Sequence, residues 1–574
     1  MATTNADIAA ALDEIADLLE LEDANAFRIR AYRNAARLLR DLRAEVTTML
    51  AEGKKLSDLP GIGEDLAGKI AEIAERGTTP MLEKLRGEVP HDLAELMKLP
   101  GLGPKRVRAL NHELDIVNID QLHRAAKDGR IRTLAGFGAK TEQRILDALA
   151  ARKPGPERMR LADAAGQAKA LVAYLGKTPG AKRVIVAGSY RRAKETVGDL
   201  DILVTAKRGE AVMDRFVKYD AVREVLAKGP TRATVILRSG LQVDVRVVDE
   251  ASYGSALHYF TGSKAHNIAV RTMGVKRGLK INEYGVFRGK RRIAGETEES
   301  VYKSVGLPYI EPELRENRGE LEAAAKKQLP KLVVRGDLKG DLHVHTDATD
   351  GRATLGAMVE AARAHGLAYI AITEHSKRLT MAHGLDAKRL LRQGEAIDKL
   401  NAKKPGIAIL KGIEVDILED GSLDLPDDVL GELDLVVGAI HSKFNLTRAR
   451  QTERILRAMD RPHFSILAHP SGRLIPEREP YDVDMARIIR AAKARGCFLE
   501  LNAHPERLDL IDVHCRQAKD EGVLVAINSD AHSTLEFDLL DDGIGQARRG
   551  WLEKDDVLNT RPLGVMRKLL KRTM

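Results

Sequence analysis

Seven short apolar runs in the C-terminal two fifths of the chain each close on a polar residue able to hold a metal ion, and no other feature limits the possible folds so sharply. In chain order they are GDLHVH (His343, His345), YIAITEH (His375), AILKGIEVD (Glu414), LDLVVGAIH (His441), FSILAHP (His469), CFLELNAHP (Asn502, His504) and VLVAINSDAH (Asp530, His532). Leu-rich and β-branched runs of this length read as strands buried on both faces, and helical stretches such as LGAMVEAARAHG and VDMARIIRAAKARG lie between them. That alternation predicts a β/α barrel, whose active site sits at the C-terminal ends of its strands. Imidazole and carboxylate converging there suit Zn, Mn or Fe, and the absence of thiolate argues against a closed structural zinc site. A strand-end histidine taken alone is most often a hydrogen-bonded core or loop residue; HxH, EH and DxH on successive strand ends are not explained that way. His365, His383, His463, His504 and His514 are set aside as outside the site.

The motifs HVHTDATDG, ITEHS, GIEVD, GAIHS, LAHP and NSDAH resemble those of the PHP (polymerase and histidinol phosphatase) superfamily over residues 336 to 574. The resemblance implies a distorted seven-stranded barrel holding up to three ions. The nine ligands it implies fall on His343, His345, Asp350, His375, Glu414, His441, His469, Asp530 and His532. Every position is filled, which implies a working phosphoesterase in which metal-activated water attacks phosphorus and neighbouring ions neutralise the oxygens around it.

A formal net charge of +9 in a chain with 31% charged residues hints at a polyanionic partner, and 44% hydrophobic residues suits globular cores in several domains. The opening segment, MATTNADIAAALDEIADLLE, has acidic residues through its apolar pattern and no basic n-region, so it reads as an amphipathic helix rather than a signal peptide. No apolar run approaches a membrane span. Cys497 and Cys515 alone give no disulfide framework, which fits a reducing, cytoplasmic and nucleoid-associated setting.

The first 150 residues account for the charge. LPGIGEDLAGKI, LPGLGPKRVRAL and LAGFGAKTEQRIL repeat one pattern, with Gly61 and Gly63, Gly101 and Gly103, and Gly136 and Gly138 at the same two positions. Such glycines allow a tight turn that aims backbone N–H groups and a helix N-terminus at an anion. The repeat resembles the helix-hairpin-helix motif, which grips DNA phosphates without reading sequence. The basic stretch AFRIRAYRNAARLLRDLR is either a second DNA contact or a solvated helix face.

A third constellation lies between. RVIVAGSYRRAKETVGDLDILV reads as strand, Gly-Ser turn, short basic helix and strand, so Asp199 and Asp201 project from one face. TVILRSGLQVDVRVV reads as a hairpin that turns Val243, Val245 and Val247 inward and leaves Gln242, Asp244 and Arg246 on the opposite face. Three carboxylates on adjacent strands repel one another unless they hold cations, and Mg²⁺ bridged by phosphate oxygens is the usual solution.

GSYRR, GDLD and VDVR, followed by YFTGSKAHNIAVRTMGVKRGLKINEYGVF, resemble the family X DNA polymerases over residues 1 to about 318. With the PHP region, the domain order is that of the bacterial and archaeal members. The resemblance implies that Asp199 and Asp201 hold two Mg or Mn ions with Asp244, which also helps activate the primer 3′-hydroxyl. It matches Gly188, Ser189 and Arg192 to the triphosphate, and Tyr259, Phe260 and Gly262 to the nucleotide sugar, where deoxynucleotides would be preferred. Asn267, Arg271 and Arg246 match groups near the nascent pair, template or primer. Gln242 departs from the animal members, which have Arg there, and the positioning of Asp244 is expected to differ.

The multidomain α/β layout implied is a helical lyase-like domain (1–86), fingers (87–152), palm (153–250), thumb (251–318), an exposed charged linker (319–335) and the PHP barrel (336–574). Expected partners are gapped or primed DNA and dNTPs, with no membrane and a monomeric chain. Lys69 matches the lysine that forms a Schiff base in members with lyase activity. Asp65, one turn earlier, would favour its charged form and repel a 5′-phosphate, so lyase activity is expected to be weak or absent. Two other classes compete: a small-molecule phosphatase with a degenerate nucleic-acid module, and a non-enzymatic DNA-binding scaffold.

Overall fold

The computed structural model describes residues 5–21, 24–42, 45–88, 96, 102, 104–114, 116, 119–134, 136–150 and 158–573. They fall into two compact units, 1–157 and 158–574. In the first, Ile8, Leu12, Ile15 and Leu19 recur at helical spacing along helix Asn5–Leu21 and share one core with Leu39 of helix Ala26–Asp41 and with Ile70 and Ile73 of helix Glu64–Arg76. The basic helix is partly answered from within, since Arg33 pairs with Asp17 and Glu20 and Arg40 with Asp13. Its Arg28 and Arg37 are exposed.

Two of the three glycine turns are described and share a geometry. Gly61 and Gly136 have φ of +81° and +83°, and nothing lies within 4 Å of where a side chain would begin at either one or at Gly63 and Gly138. Gly63 and Gly138 then precede helices Glu64–Arg76 and Ala139–Ala150. A backbone so bare admits a close approach from outside. Gly101 and Gly103 lie outside the described residues.

The second unit begins with seven strands in chain order: β1 (Met159–Arg160), β2 (Ala181–Val186), β3 (Thr196–Val197), β4 (Asp199–Ala206), β5 (Val222–Lys228), β6 (Arg232–Leu237) and β7 (Gln242–Val248). β1 and β3 form a small ribbon, while the other five make a sheet in the order β2-β4-β7-β6-β5. β4 and β7 are parallel neighbours and the remaining pairs antiparallel. Val243, Val245 and Val247 enter the core beneath helix Leu161–Gly176, as the alternation predicts. Helices Tyr253–Thr261 and Lys264–Val275 follow, then a sheet of β8 (Lys280–Asn282), β9 (Gly285–Arg288) and β10 (Arg291–Ala294).

Residues 319–335 differ from the exposed charged linker expected. Glu320, Leu321 and Ala324 of helix Glu320–Ala325 are buried, as are Leu332 and Val333. Glu320 accepts from the backbone N–H groups of Asn317 (2.8 Å) and Arg318 (2.7 Å) and faces Nδ1 of His266 at 2.6 Å. Its charge is met by donors inside the fold, so burial does not leave it unpaired.

The last seven strands, β11 (Gly340–Val344), β12 (Tyr369–Ile372), β13 (Ala408–Asp416), β14 (Leu435–Ala439), β15 (Ile466–Leu467), β16 (Phe498–Asn502) and β17 (Val525–Asn528), are parallel and adjacent in chain order. A bridge between Val344 and Ala531 brings the last beside the first and nearly closes the barrel. All seven are buried throughout except at Ala408 and Lys411, which is why they read as unbroken apolar runs.

Candidate active sites

The barrel strands deliver the nine expected ligands to one place. Glu414, at the C-terminal end of β13, is the hub: its carboxylate lies 2.7 Å from Nδ1 of His375 and 2.9 Å from Nε2 of His469. Nε2 of His441 and of His343 follow at 3.3 and 3.4 Å. Asp530 lies 3.2 Å from His345 and 3.4 Å from His343, while Asp350 bridges His375 and His532, each at 3.4 Å. Three groups have ligand atoms close enough to share an ion: His345, Asp350, His375 and His532; His343, His345 and Asp530; and His375, Glu414 and His441. His469 is joined to them through Glu414.

The donor set fits divalent cations. Nε2 of His343, both ring nitrogens of His345 and Oε2 of Glu414 are buried without a hydrogen-bond partner, an arrangement that burial penalises unless an ion completes it. Burial, with His532 and His375 alongside, pushes His345 down to about 3, which keeps the ring neutral and its lone pair available. His469 and Asp530 take left-handed backbone, φ +26° and +55°, a conformation that costs an L-residue roughly 1–3 kcal/mol and is concentrated at functional sites.

Carboxylates behind the ligands were not singled out from sequence. Glu500 faces Nδ1 of His343 at 2.7 Å and accepts from the His469 backbone N–H at 2.8 Å; Asp416 faces Nδ1 of His441 at 2.5 Å. Each orients an imidazole so that its other nitrogen points inward. Both stand in the runs already quoted, GIEVD and CFLELNAHP, where a buried acid within an apolar strand was the available signal. Among the histidines set aside, His365 bonds to Asp538 and the Ala361 carbonyl, and none of the five joins a metal-capable group among the described residues.

The second site lies on the five-stranded sheet. Parallel register sets Asp201 opposite Asp244 and Asp199 opposite Gln242. Burial first, then Asp199 and Asp244, push Asp201 up to about 7, so bound cations would favour the trio's fully charged form. Gly188, φ +62°, begins the short helix Gly188–Arg191; a Cβ there would sit 2.4 Å from Oδ2 of Asp201. Asp244 accepts from Gln242 Nε2 (2.8 Å), from Thr234 Oγ1 (2.6 Å) and from Arg232 (3.2 Å). The guanidinium missing at position 242 is thus supplied from the neighbouring strand.

Ser189 lies in that short helix, next to Gly188. Arg192 donates from Nε to Glu316 (3.0 Å) and from Nη1 to the Thr261 carbonyl (2.5 Å), beside Gly262. Arg246 lies over the Phe260 ring at 4.7 Å, and Phe260 meets Tyr259 edge-on. Asn267 donates to the Tyr259 carbonyl at 2.7 Å, and with Arg271 and Asn282 these residues line one crevice. In the first unit, Lys69 is mostly buried and ion-paired with Asp65, as the spacing predicts.

Known families match most of this layout: a helix-hairpin-helix domain at 3–79, a SAM-like helix-hairpin-helix tandem at 93–151, the DNA polymerase beta palm at 163–252 and thumb at 256–316, and the PHP domain at 341–504. One relative matches end to end: the "DNA polymerase/3'-5' exonuclease PolX" of Bacillus subtilis (strain 168) is 39% identical over 99% of both chains. The chain belongs to the family X DNA polymerases that carry a PHP domain. A shorter relative, a "Probable phosphatase" of Thermoanaerobacter sp. (strain X514), is 30% identical over 40% of this chain and 94% of its own length. A "Probable phosphatase" of Acetivibrio thermocellus is also 30% identical, over 35% of this chain and 82% of its own length.

Proposed function

We propose that this family X member is a DNA-directed DNA polymerase that fills short gaps in DNA repair and also degrades DNA 3′ to 5′ at its barrel. The observation that carries the reading is the end-to-end match to a protein named for both activities. In the palm, Asp199, Asp201 and Asp244 hold two Mg or Mn ions, which when bound neutralise the triphosphate and favour attack by the primer oxygen. The chain itself supplies the rest. Asp244, fixed by Gln242, Thr234 and Arg232, faces the primer terminus and helps draw the proton from its 3′-hydroxyl. Ser189 and Arg192 hold the triphosphate beside Gly188, whose lack of a side chain leaves room at Asp201. Tyr259, Phe260 and Gly262 close on the sugar, with Asn267, Arg246 and Arg271 toward the base pair and the strands. The glycine turns, through Gly61, Gly63, Gly101, Gly103, Gly136 and Gly138, grip phosphates.

In the barrel, the nine ligands hold up to three Mn, Zn or Fe ions, and Glu500 and Asp416 keep the imidazoles aimed. The likeness to the two phosphatases supports removal of 3′-phosphates at the same site, and abasic-site cleavage is a further candidate. A purely small-molecule phosphatase is opposed by the intact palm trio. The protein works as a cytoplasmic, nucleoid-associated monomer; no described helix is long and apolar enough to cross a membrane. Incubating it with gapped DNA and Mg²⁺ or Mn²⁺, with and without dNTPs, tests both halves. Extension with dNTPs and 3′ shortening without them are expected, and a protein that does neither but cleaves a free phosphomonoester would overturn the reading.

A further inference from the structure

The turn that carries Arg192 is held from the barrel side. Arg549, the last residue of helix Leu540–Arg549, is only 4% exposed and reaches three acceptors. Nη1 donates to the Arg192 backbone carbonyl and to Oε1 of Glu316, both at 2.9 Å, and Nη2 donates to Asp512 at 2.6 Å. The same Oε1 of Glu316 accepts from Nε of Arg192. One carboxylate oxygen therefore joins the two guanidinium groups, and Arg318 closes the cluster on Asp512 at 2.9 Å. Backbone packing agrees with this arrangement: the next palm residue, Ala193, takes φ +51°, and a side chain begun at Gly545 of the barrel helix would lie 3.1 Å from its Cβ.

Arg192 is thus fixed at its carbonyl, at Nε and at Nη1. Its Nη2 makes no hydrogen bond to another side chain or backbone group among the described residues, so one edge of the fork is left for something else. A planar guanidinium held on two sides with a free N–H edge is pre-organised for a phosphate oxygen. Without Arg549, Glu316 would lose one of its two guanidinium partners and the Arg192 backbone its anchor, and the fork would have to be ordered anew at each binding event.

We propose that Arg549, in the PHP barrel, is a positioning residue for the polymerase's nucleotide: acting through Glu316 and the Arg192 carbonyl, it presents Arg192 to the triphosphate. The barrel would then contribute to dNTP affinity without touching dNTP. The inference rests on the reading of Arg192 as a triphosphate contact, and the experiment separates the two.

Primer extension on gapped DNA at varied dNTP would be measured for the full chain and for Arg192→Ala, Arg549→Met, Arg549→Lys and the double variant Arg192→Ala/Arg549→Met. Loss of a charge-assisted contact should raise KM for dNTP about tenfold in each of the Ala and Met single variants, with kcat little changed. The double variant should be no worse than Arg192→Ala, since both act through one group. Arg549→Lys, which keeps the charge but not the fork, should fall between wild type and Met. If Arg192→Ala raises KM and Arg549→Met does not, the relay is overturned while the Arg192 reading stands. An unchanged KM in Arg192→Ala overturns the reading beneath it. Nuclease activity of the same preparations reports whether the barrel is folded. Should Arg549→Met fail that check, Glu316→Gln, which keeps shape and removes the shared charge, takes its place with the same KM expected, and a wild-type KM there likewise overturns the relay.

Discussion

At the scale of single residues, the polymerase site depends on what Gly188 lacks. A methyl group there would meet Oδ2 of Asp201 and would also have to adopt φ +62°. Gly188→Ala should therefore displace Asp201 and cut nucleotide addition on the order of a hundredfold, the cost of roughly an ångström of misplacement at a reacting centre, while 3′ shortening of DNA is unaffected. Parallel assays of extension and degradation check this. In the barrel, Glu500→Gln keeps the shape but not the charge behind His343, and bound metal should weaken by about 10- to 100-fold, read by elemental analysis after dialysis. The strand-end candidates were legible because position and residue type coincide, whereas Asp350, beyond the end of β11, came only with the family resemblance. Glu500 was not legible, because sequence does not say which acid will face the far nitrogen of an imidazole.

At the scale of elements, the alternation of β4 and β7 predicted which carboxylates share a face, and the apolar runs predicted seven strands. Residues 319–335 misled for a physical reason. Mixed charges read as solvated unless their partners are known, and the side-chain partner of Glu320, His266, lies on a distant element. Burial opposes the charge on Glu316, but Arg549, Arg192 and Lys194 outweigh it and hold its carboxyl down to about 2, against about 4.3 for a free glutamate. A depressed carboxylate stabilises the fold above its unfolded pKa, and that stability is lost as pH falls through the folded one. Glu316→Gln should therefore be less stable than wild type at neutral pH by on the order of 3 kcal/mol, with the gap closing between about pH 4.3 and 2. The difference in urea midpoint between the two proteins across that range measures it.

At the scale of the whole molecule, palm, thumb and barrel form one unit, yet the two candidate metal sites draw on different sheets. Replacing Asp199 and Asp201 by Ala should abolish synthesis and spare the nuclease; His343→Ala or Asp530→Ala should do the reverse and lower bound metal. Synthesis by the first variant, or undiminished metal in the others, would show that a site is misplaced. The motifs made the order of these modules legible. Their joint was not, because Glu316 and Arg549 stand 233 positions apart and no periodicity encodes a pair so distant.

That joint is built from ions as well as oil, since Trp551 shares an apolar cluster with Leu307, Ile310 and Leu314 of the thumb while Arg549 pairs with Glu316 beside it. Exposed pairs weaken as ionic strength rises, whereas buried ones are screened far less, and the desolvation cost of buried charge falls on heating. Arg160 and Glu506, the latter nearly half exposed, should let go early in a salt titration, while Arg549, sealed between Glu316 and Asp512, should hold. A polymerase so jointed would lose its grip on DNA phosphates in brine well before its parts came apart, and warmth would favour the seam.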